Sequence, residues 1–287
     1  MKEKTKDIRP EWIRERLPEW LANRNGRPFR DMYKPHEELM ISFAPADMDE
    51  AAPKIIDEAF ENSILPGGNL NRPVFCKAER EWLCFEEYYP SLLEGYGSRA
   101  FTALNASQQD RTLLSMANAL RTLHKAGLVH GSLDNNSFRA VKANDSNFRT
   151  VLSGFAFANR EGRHTAGYPD GYRAPELQRR HEITAKTDIY ALGACFYFFL
   201  TNRIPMRNDA GKILLPSFVP KKYRGIVSAM LASDPTARPD LTAIMERIRN
   251  GSGDGYADCV VYREEGPCQD SREYFDELAK DNRWLKG

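Results

Sequence analysis

Apolar residues recur at helical spacing near the start of this chain. Over residues 8–24 they fall at i, i+4, i+7 and i+8, at Ile13, Leu17, Trp20 and Leu21. This spacing predicts an amphipathic helix, which Pro18 would bend or split. Trp12 and Trp20 are large apolar side chains that have to pack on the rest of the protein or on another molecule, so both are candidate partner contacts.

Along the rest of the chain, the same patterns predict first a mixture of strands and helices and then mostly helices. Short apolar runs predict strands at residues 38–43, 73–77 and 82–86. An acidic first turn predicts a helix at 47–60, between the first two strands. Further helices are predicted at 109–126, 187–200, 222–231 and 241–248. A polar turn at 144–147 predicts a hairpin. Strands with one helix, followed by mostly helices, indicate an α+β fold with two lobes.

We expect four segments from this order of elements. They are an N-terminal helical extension, a small N-lobe, a mostly helical C-lobe, and a hinge with a helical tail, at residues 1–30, 31–88, 89–250 and 251–287. The hinge prediction rests on the polar, glycine-rich run Gly251–Gly255. In the tail, residues 271–284 predict an amphipathic helix that offers Tyr274 and Trp284 as further candidate partner contacts.

Composition and charge exclude several classes of protein. Lys and Arg number 41 against 40 Asp and Glu, which gives no support for a nucleic-acid or membrane-surface binder. The longest nearly apolar run, residues 189–200, is shorter than the roughly 20 residues that a membrane helix needs. The charged N-terminus shows no secretory signal. The 5 cysteines form no CxxC pair, so we expect buried thiols in the cytoplasm, although export without a signal would leave the same pattern.

A mostly polar loop at residues 129–138 is the candidate place for chemistry. It follows the predicted helix 109–126, which Gly127 ends in the manner of a C-cap. It lies between Val129 and Phe138, which serve as apolar anchors. Polar loops that a rigid scaffold holds in this way commonly carry binding or catalytic groups.

Three motifs beyond this loop resemble the eukaryotic-like Ser/Thr protein-kinase family. They read Gly-Tyr-Arg-Ala-Pro-Glu, Thr-Asp-Ile-Tyr-Ala-Leu-Gly and Asp-Pro-Thr-Ala-Arg-Pro, at residues 171–176, 187–193 and 234–239. The resemblance implies a protein-kinase-like fold with a reduced, divergent N-lobe, and it covers the chain well only from about residue 80. It also implies structural roles. Asp188 accepts hydrogen bonds from the loop, Glu176 pairs with Arg238, and His130 is a packed anchor.

The same resemblance implies that the groups for phosphoryl transfer are missing. Kinases read His-Arg-Asp-Leu-Lys-x-x-Asn in this loop, whereas here Gly131 replaces the Arg. The positions of the catalytic Asp, the Lys and the Asn hold Ser132, Asp134 and Ser137. The metal-binding Asp of the Asp-Phe-Gly motif falls on Gly154. Phosphoryl transfer needs such groups to hold Mg²⁺ and to control charge, so we expect no catalytic residue and no metal site.

The N-lobe lacks the family's phosphate-binding features as well. It contains no Gly-x-Gly-x-x-Gly run, and the strand expected to carry the phosphate-binding Lys has Ser42 at its end. Residues 74–77 resemble the family's motif around that Lys, with Lys77 at its position. The next predicted strand begins at residue 82, which leaves no room for the helix that follows this Lys in the family, so we expect Lys77 on the surface. If a nucleotide binds, the candidates to contact it are the hinge residues Glu86, Glu87 and Tyr88.

Three functional hypotheses follow. The leading one is a pseudokinase without ATP or Mg²⁺ that acts as a scaffold or allosteric regulator by binding another protein, such as an active kinase or another enzyme. The second is an ATP-dependent transferase, a protein kinase or nucleotidyl transferase, with Asp134 as its metal ligand. The third is a small-molecule phosphotransferase, since His-Gly occurs in the aminoglycoside-kinase branch. That branch generally lacks the Ala-Pro-Glu and Arg-Pro elements found here.

Overall fold

The structure is a computed structural model. It describes residues 39–44, 48, 50–63, 69–78, 81–92, 101, 104–144, 147–162, 167–178, 182–251 and 259–263. The predicted helices at 8–24 and 271–284 lie outside the described residues, and with them lie the candidate partner contacts Trp12, Trp20, Tyr274 and Trp284.

A small antiparallel sheet and one helix make up the described N-lobe. The elements are β1 (Leu39–Phe43), α1 (Ala52–Ser63), β2 (Val74–Ala78) and β3 (Glu81–Glu87), and the strand order is β1–β3–β2. Met40 pairs with Glu86 across the sheet, and Ser42 pairs with Cys84. Residues opposite each other share a face, and the alternation along β1 places all four on the same face.

Helix α1 begins later than the sequence predicted. It starts at Ala52 and has no acidic residue in its first turn, so the predicted start at residue 47 was wrong. Pro53 occupies the first turn, where a proline costs no hydrogen bond because that N–H has no partner inside the helix. The apolar face of the helix is buried through Ile56 and Phe60.

Four helices form most of the described C-lobe: α2 (Ala106–Lys125), α3 (Ala185–Thr201), α4 (Lys221–Met230) and α5 (Leu241–Asn250). Helix α2 begins with a capping box, in which Asn105 and Gln108 each accept from the other's backbone N–H. Every residue of α3 from Thr187 to Thr201 is buried. Such a helix is the central element of a lobe and not a surface helix.

The hairpin β4 (Phe138–Asn144) and β5 (Asn147–Leu152) begins directly after the polar loop. It contacts the segment between α1 and β2, because the N–H of Asn71 donates to the carbonyl of Leu152 at 2.8 Å and the N–H of Leu152 donates to the carbonyl of Asn69 at 2.7 Å. The hairpin therefore joins the N-lobe to the end of the polar loop.

A second small sheet was not predicted. Strands β6 (Met206–Arg207), β7 (Ile213–Pro216) and β8 (Cys259–Tyr262) lie in the order β6–β7–β8, and β8 runs parallel to β7. Strands of two to four residues leave too short a pattern to recognise, and the partner of β7 lies beyond two intervening helices. Strand β8 falls inside the segment 251–287, which the sequence assigned to a hinge and a tail.

The predicted α+β arrangement of two lobes with a small N-lobe is confirmed. One continuous apolar core runs from α1 and β3 through the hairpin to the helices of the C-lobe. None of the helices that the structure describes is long and apolar enough to cross a membrane.

Candidate functional site

Asp188, in the first turn of α3, holds the backbone of the polar loop. Its Oδ2 accepts from the N–H of His130 at 2.7 Å and lies 2.9 Å from Nε2 of His124. Its Oδ1 accepts from the N–H of Gly131 at 3.2 Å and from the hydroxyl of Tyr168 at 2.6 Å. Burial alone would raise the pKa of Asp188, but the hydrogen bond and charge of His124 and the other donors outweigh burial, and the pKa lies below its ordinary value. The loop is therefore fixed by a buried, ionised carboxylate.

His130 is fully buried beneath the loop. Its Nε2 lies 2.9 Å from the carbonyl of Ser153, which makes this nitrogen the donor, and its Nδ1 accepts from the N–H of Ser132 at 3.4 Å. Burial lowers the pKa of His130, although the charge of Asp188 opposes the change. The imidazole is thus a neutral hydrogen-bonding group that connects the loop to residue 153.

Gly131 has the conformation and the space that only glycine tolerates. Its φ is +78°, and a Cβ there would lie 2.6 Å from the carbonyl oxygen of Phe157. The N–H of Gly167 also donates to the carbonyl of Gly131 at 2.8 Å. The backbone around this position leaves no room for the arginine that the kinase pattern places there.

Polar side chains of the loop form hydrogen bonds within the loop or to the neighbouring residue 154. Ser132 Oγ donates to the carbonyl of Gly154 at 3.3 Å. One oxygen of Asp134 accepts from the N–H groups of Asn136 and Ser137, each at 2.9 Å, and from Ser137 Oγ at 3.0 Å. Burial raises the pKa of Asp134, although these hydrogen bonds oppose the change. The acid that the sequence offered as a metal ligand caps the short 3₁₀ turn that follows it.

Glu86 is a candidate site residue whose contacts the sequence did not predict. It lies on β3, and no part of it is exposed. The N–H of Gly154 donates to both of its oxygens, at 3.0 and 2.8 Å, and the N–H of Phe155 donates to one of them at 3.2 Å. A carboxylate of the N-lobe therefore binds the backbone at the position of the family's metal motif. The signal that could have found it is an acid directly after a run of apolar residues in a predicted strand.

Arg139, the second residue of β4, lies across the cleft between the lobes. Its Nη2 is 3.2 Å from the sulfur of Met40 on β1, and its Nη1 donates to the carbonyl of Tyr89 at 3.4 Å. Its Nε is buried and has no hydrogen-bond partner. The guanidinium thus occupies space between the N-lobe sheet, the hinge and the hairpin. Arg139 was not among the residues that the sequence indicated.

In the described chain, the side chains of the other hinge and N-lobe candidates form no hydrogen bond to the polar loop, although Asn71 connects the backbone of Glu87 to Ser153. Glu87 and Tyr88 are half-buried, and the carbonyl of Glu87 accepts from Asn71 Nδ2 at 2.8 Å. Lys77 is exposed and forms an ion pair with Glu50. On α1, Glu58 is exposed and lies 3.8 Å from Lys54.

Glu176 and Arg238 form a bidentate ion pair in the C-lobe. Nη1 and Nη2 of Arg238 lie 2.6 and 2.7 Å from the two oxygens of Glu176. The same guanidinium donates to the carbonyls of Lys186 and Ala232, at 2.8 and 2.9 Å, and lies 5.0 Å from the ring centre of Tyr190. The geometry is the planar fork that arginine provides and lysine does not.

Metal ligands do not converge in the part of the chain that the structure describes. No group of three or more His, Cys, Asp or Glu side chains there is arranged to hold a metal ion. The arrangement around the loop is instead a network of hydrogen bonds in which buried carboxylates hold backbone N–H groups.

The lobes, the loop held by the central helix and the Glu176–Arg238 pair define a kinase-like domain. The model of the protein kinase domain family matches residues 73–248, which is more than half of the 287-residue chain. The chain therefore belongs to the protein kinase family.

Individual relatives are distant. The chain is 28% identical over 150 residues to the inactive serine/threonine-protein kinase PLK5 of Mus musculus, covering 47% of this chain and 24% of the mouse protein. It is 28% identical over 146 residues to an Aurora kinase of Schizosaccharomyces pombe, covering 46% of this chain and 40% of that protein. A probable serine/threonine-protein kinase of Dictyostelium discoideum is 26% identical over 185 residues, which are 57% of this chain and 24% of the relative. The chain thus spans less than half the length of each of these relatives.

Proposed function

We propose that this protein is a pseudokinase, a protein-kinase domain that transfers no phosphoryl group and acts by binding another protein. The observation that carries the proposal is that polar side chains of the loop are engaged in hydrogen bonds within the protein. Between residues 131 and 137 the one carboxylate, that of Asp134, caps a backbone turn. The hydroxyl of Ser132 is directed to the carbonyl of Gly154. No general base faces the cleft from this loop.

A Mg²⁺–triphosphate does not fit the groups present. Mg²⁺ is held by carboxylates and phosphate oxygens in octahedral geometry, and the position of the family's metal ligand is Gly154, which has no side chain. Glu86 is the carboxylate next to it, and both its oxygens already accept N–H groups. The guanidinium of Arg139 contacts the sulfur of Met40 on β1. These contacts support a domain without ATP or Mg²⁺ as cofactors.

The partner that fits this proposal is a protein, such as an active kinase or another enzyme that the domain scaffolds or regulates. The name of the mouse relative, which describes an inactive kinase, supports the same view. We place the protein in a reducing compartment, the cytoplasm, because Cys84 and Cys195 are buried thiols. The balanced charge gives no support for a nucleic-acid partner.

The test is a transfer assay with the full chain, radiolabelled ATP, and Mg²⁺ or Mn²⁺. We expect no label on the chain or on general kinase substrates. Label that disappears in Ser132→Ala would overturn the proposal. ATP calorimetry on the same protein is expected to give no heat of binding.

The transferase alternative has its own test in a thermal-shift assay. It requires metal-dependent stabilisation by nucleotide that is lost in Asp134→Ala. Because that substitution also removes a cap, Asp234→Ala is the matched control. Asp234 caps another 3₁₀ turn, by accepting from the N–H of Thr236 at 2.8 Å. A metal-dependent shift that survives in the control and vanishes in Asp134→Ala would support the transferase.

A further inference from the structure

Exposed apolar side chains concentrate on the small sheet of the C-lobe. In the part of the chain that the structure describes, the exposed large apolar side chains are Met206, Val260 and Val261, with 38%, 37% and 40% of their surface exposed. All three belong to β6 or β8. Single exposed apolar residues are ordinary in proteins, whereas a cluster of them commonly marks a surface that another segment or molecule covers.

Met206 and Val260 lie on one face of this sheet. Met206 of β6 pairs with Leu214 of β7, and Leu214 pairs with Val260 of β8. The three side chains therefore form a row across the strands. Leu215, the next residue of β7, is fully buried on the opposite face, so the row points away from the core. The face that carries this row is called the outer face below.

The chain leaves the sheet at the end of β8 and continues for 24 residues beyond Arg263. The carbonyl of Tyr262 accepts from the N–H of Ser217 at 2.8 Å, and its hydroxyl accepts from Nη1 of Arg203 at 3.0 Å, so the end of β8 is held on the sheet. Residues 264–287 lie outside the described residues. Their length suffices to reach the outer face, because seven extended residues span up to roughly 24 Å, and a 15-residue helix is about 22 Å long, whereas the outer strands of three lie roughly 10 Å apart.

The sequence of this C-terminal segment complements the outer face in polarity and charge. Tyr274, Leu278 and Leu285 recur at i, i+4 and i+11, which would place them on one side of a helix. The 24-residue segment carries seven acidic and four basic residues. The strands and the residues that flank them, 203–216 and 259–263, carry four basic residues and one acidic residue. An acidic amphipathic segment thus starts beside an apolar face with basic surroundings.

We propose that residues 264–287 fold back onto the outer face and cover the row of Met206, Leu214 and Val260 with their own apolar stripe. The occupant is this chain's C-terminal segment, which stays at a high effective concentration because it is joined to the edge strand of the sheet. A partner protein then reaches the outer face only by displacing the segment. This inference goes beyond the pseudokinase proposal, because it concerns a surface of the C-lobe and holds whatever chemistry the polar loop performs.

Hydrogen–deuterium exchange of the full chain, followed by mass spectrometry, tests this placement. Peptides from residues 271–285 report whether the segment is covered. We expect their amides to exchange at least about tenfold more slowly than the intrinsic rate of an unstructured chain. Since the contact lies within one molecule, the protection is expected to stay the same when the protein is diluted about tenfold.

Two matched substitutions distinguish the outer face from the strand as a whole. Val260→Asp places a charge in the apolar row and is expected to bring exchange of residues 271–285 to within about threefold of the intrinsic rate. Val261→Asp makes the same change one residue later, at a similar exposure but on the opposite face, and is expected to leave the protection as in the wild type. Leu278→Asp, in the segment itself, is expected to release it as Val260→Asp does.

Four outcomes would overturn the inference. Unprotected amides at 271–285 in the wild type would show that the segment leaves the face open for a foreign partner. Protection that falls on dilution would identify a second copy of the chain as the occupant. Protection that survives both Val260→Asp and Leu278→Asp would place the segment elsewhere, and equal losses in Val260→Asp and Val261→Asp would contradict docking on the outer face. Should exchange across α3 show that Val260→Asp fails to fold, Met206→Asp at the other end of the row takes its place.

Discussion

Replacing Arg238 by alanine is expected to be the most destabilising single change in the C-lobe. The side chain is 1% exposed, and it makes the bidentate pair with Glu176 and three hydrogen bonds to backbone carbonyls. Its removal leaves a carboxylate that is 19% exposed without its partner. It also leaves the carbonyls of Lys186, Ala232 and Ser233 without this donor.

The magnitude follows from these losses. Breaking a buried ion pair by removing one partner costs roughly 3–5 kcal/mol, because the other charge stays buried. We therefore expect Arg238→Ala to lower the free energy of unfolding by about 4 kcal/mol and Glu176→Ala to lower it by about 3 kcal/mol. If the two side chains act as a unit, the double variant loses about 5 kcal/mol, which is less than the sum.

Urea denaturation of the four proteins of this double-mutant cycle measures these values. Arg224→Ala is the matched control, because Arg224 donates to the carbonyls of Val219 and Ser217, at 2.8 and 2.6 Å, and forms no ion pair among the described residues. Its loss is expected to cost only about 1 kcal/mol.

The cycle can refute the reasoning in two ways. A coupling energy below about 0.5 kcal/mol would show that the pair does not act as a unit. A cost for Arg224→Ala equal to that of Arg238→Ala would show that backbone contacts, and not the buried charge pair, dominate.

Three further predictions concern single positions. Because burial raises the pKa of Glu86 from 4.5 to about 7, the folded protein keeps a proton there that the unfolded chain releases. Wild-type stability is therefore expected to fall by at most about 3 kcal/mol as the pH rises from 4.5 to about 7. Thermal unfolding at each pH is expected to show no such fall in Glu86→Gln. Gly193→Ala places a Cβ 2.7 Å from the Cβ of Met230, and we expect a loss of about 1–3 kcal/mol in urea denaturation; an unchanged midpoint would contradict this packing. Gly131→Arg is expected to destabilise by about 2 kcal/mol or more and to restore no ATP turnover, since its Cβ meets the carbonyl of Phe157 at 2.6 Å; measurable turnover in a radiolabel assay would contradict it.

Local patterns predicted the helices well because each helix buries a periodic stripe. In α2, predicted at 109–126, Leu113, Met116, Leu120 and Leu123 recur at helical spacing and are all fully buried. Helix α3, predicted at 187–200, contains the nearly apolar run 189–200 and is buried on every side. The capping residues Asn105 and Thr184 set the starts of these helices at residues 106 and 185, before the predicted starts at 109 and 187.

The contacts of the candidate site could be predicted only in part. The kinase motifs predicted the contact of Asp188 with the loop and the pairing of Glu176 with Arg238, because both contacts belong to those motifs in the family. Glu86 could not be placed in the same way. Its partners are backbone N–H groups 68 and 69 residues away, and a backbone donor leaves no mark in the sequence. The capping role of Asp134 was open to prediction, since an acid three residues before Ser137 is a common cap.

The parallel pairing of β7 with β8 determines where a truncated form of this domain can end. The family match ends at residue 248, yet β8 lies at Cys259–Tyr262 and its pairing covers the edge of β7, where Ile213 and Leu215 are 2% and 0% exposed. A protein truncated after α5 would uncover an apolar strand edge, which is a template for aggregation. Expression of a shortened domain is therefore expected to yield soluble, monodisperse protein only when the chain extends at least to Arg263.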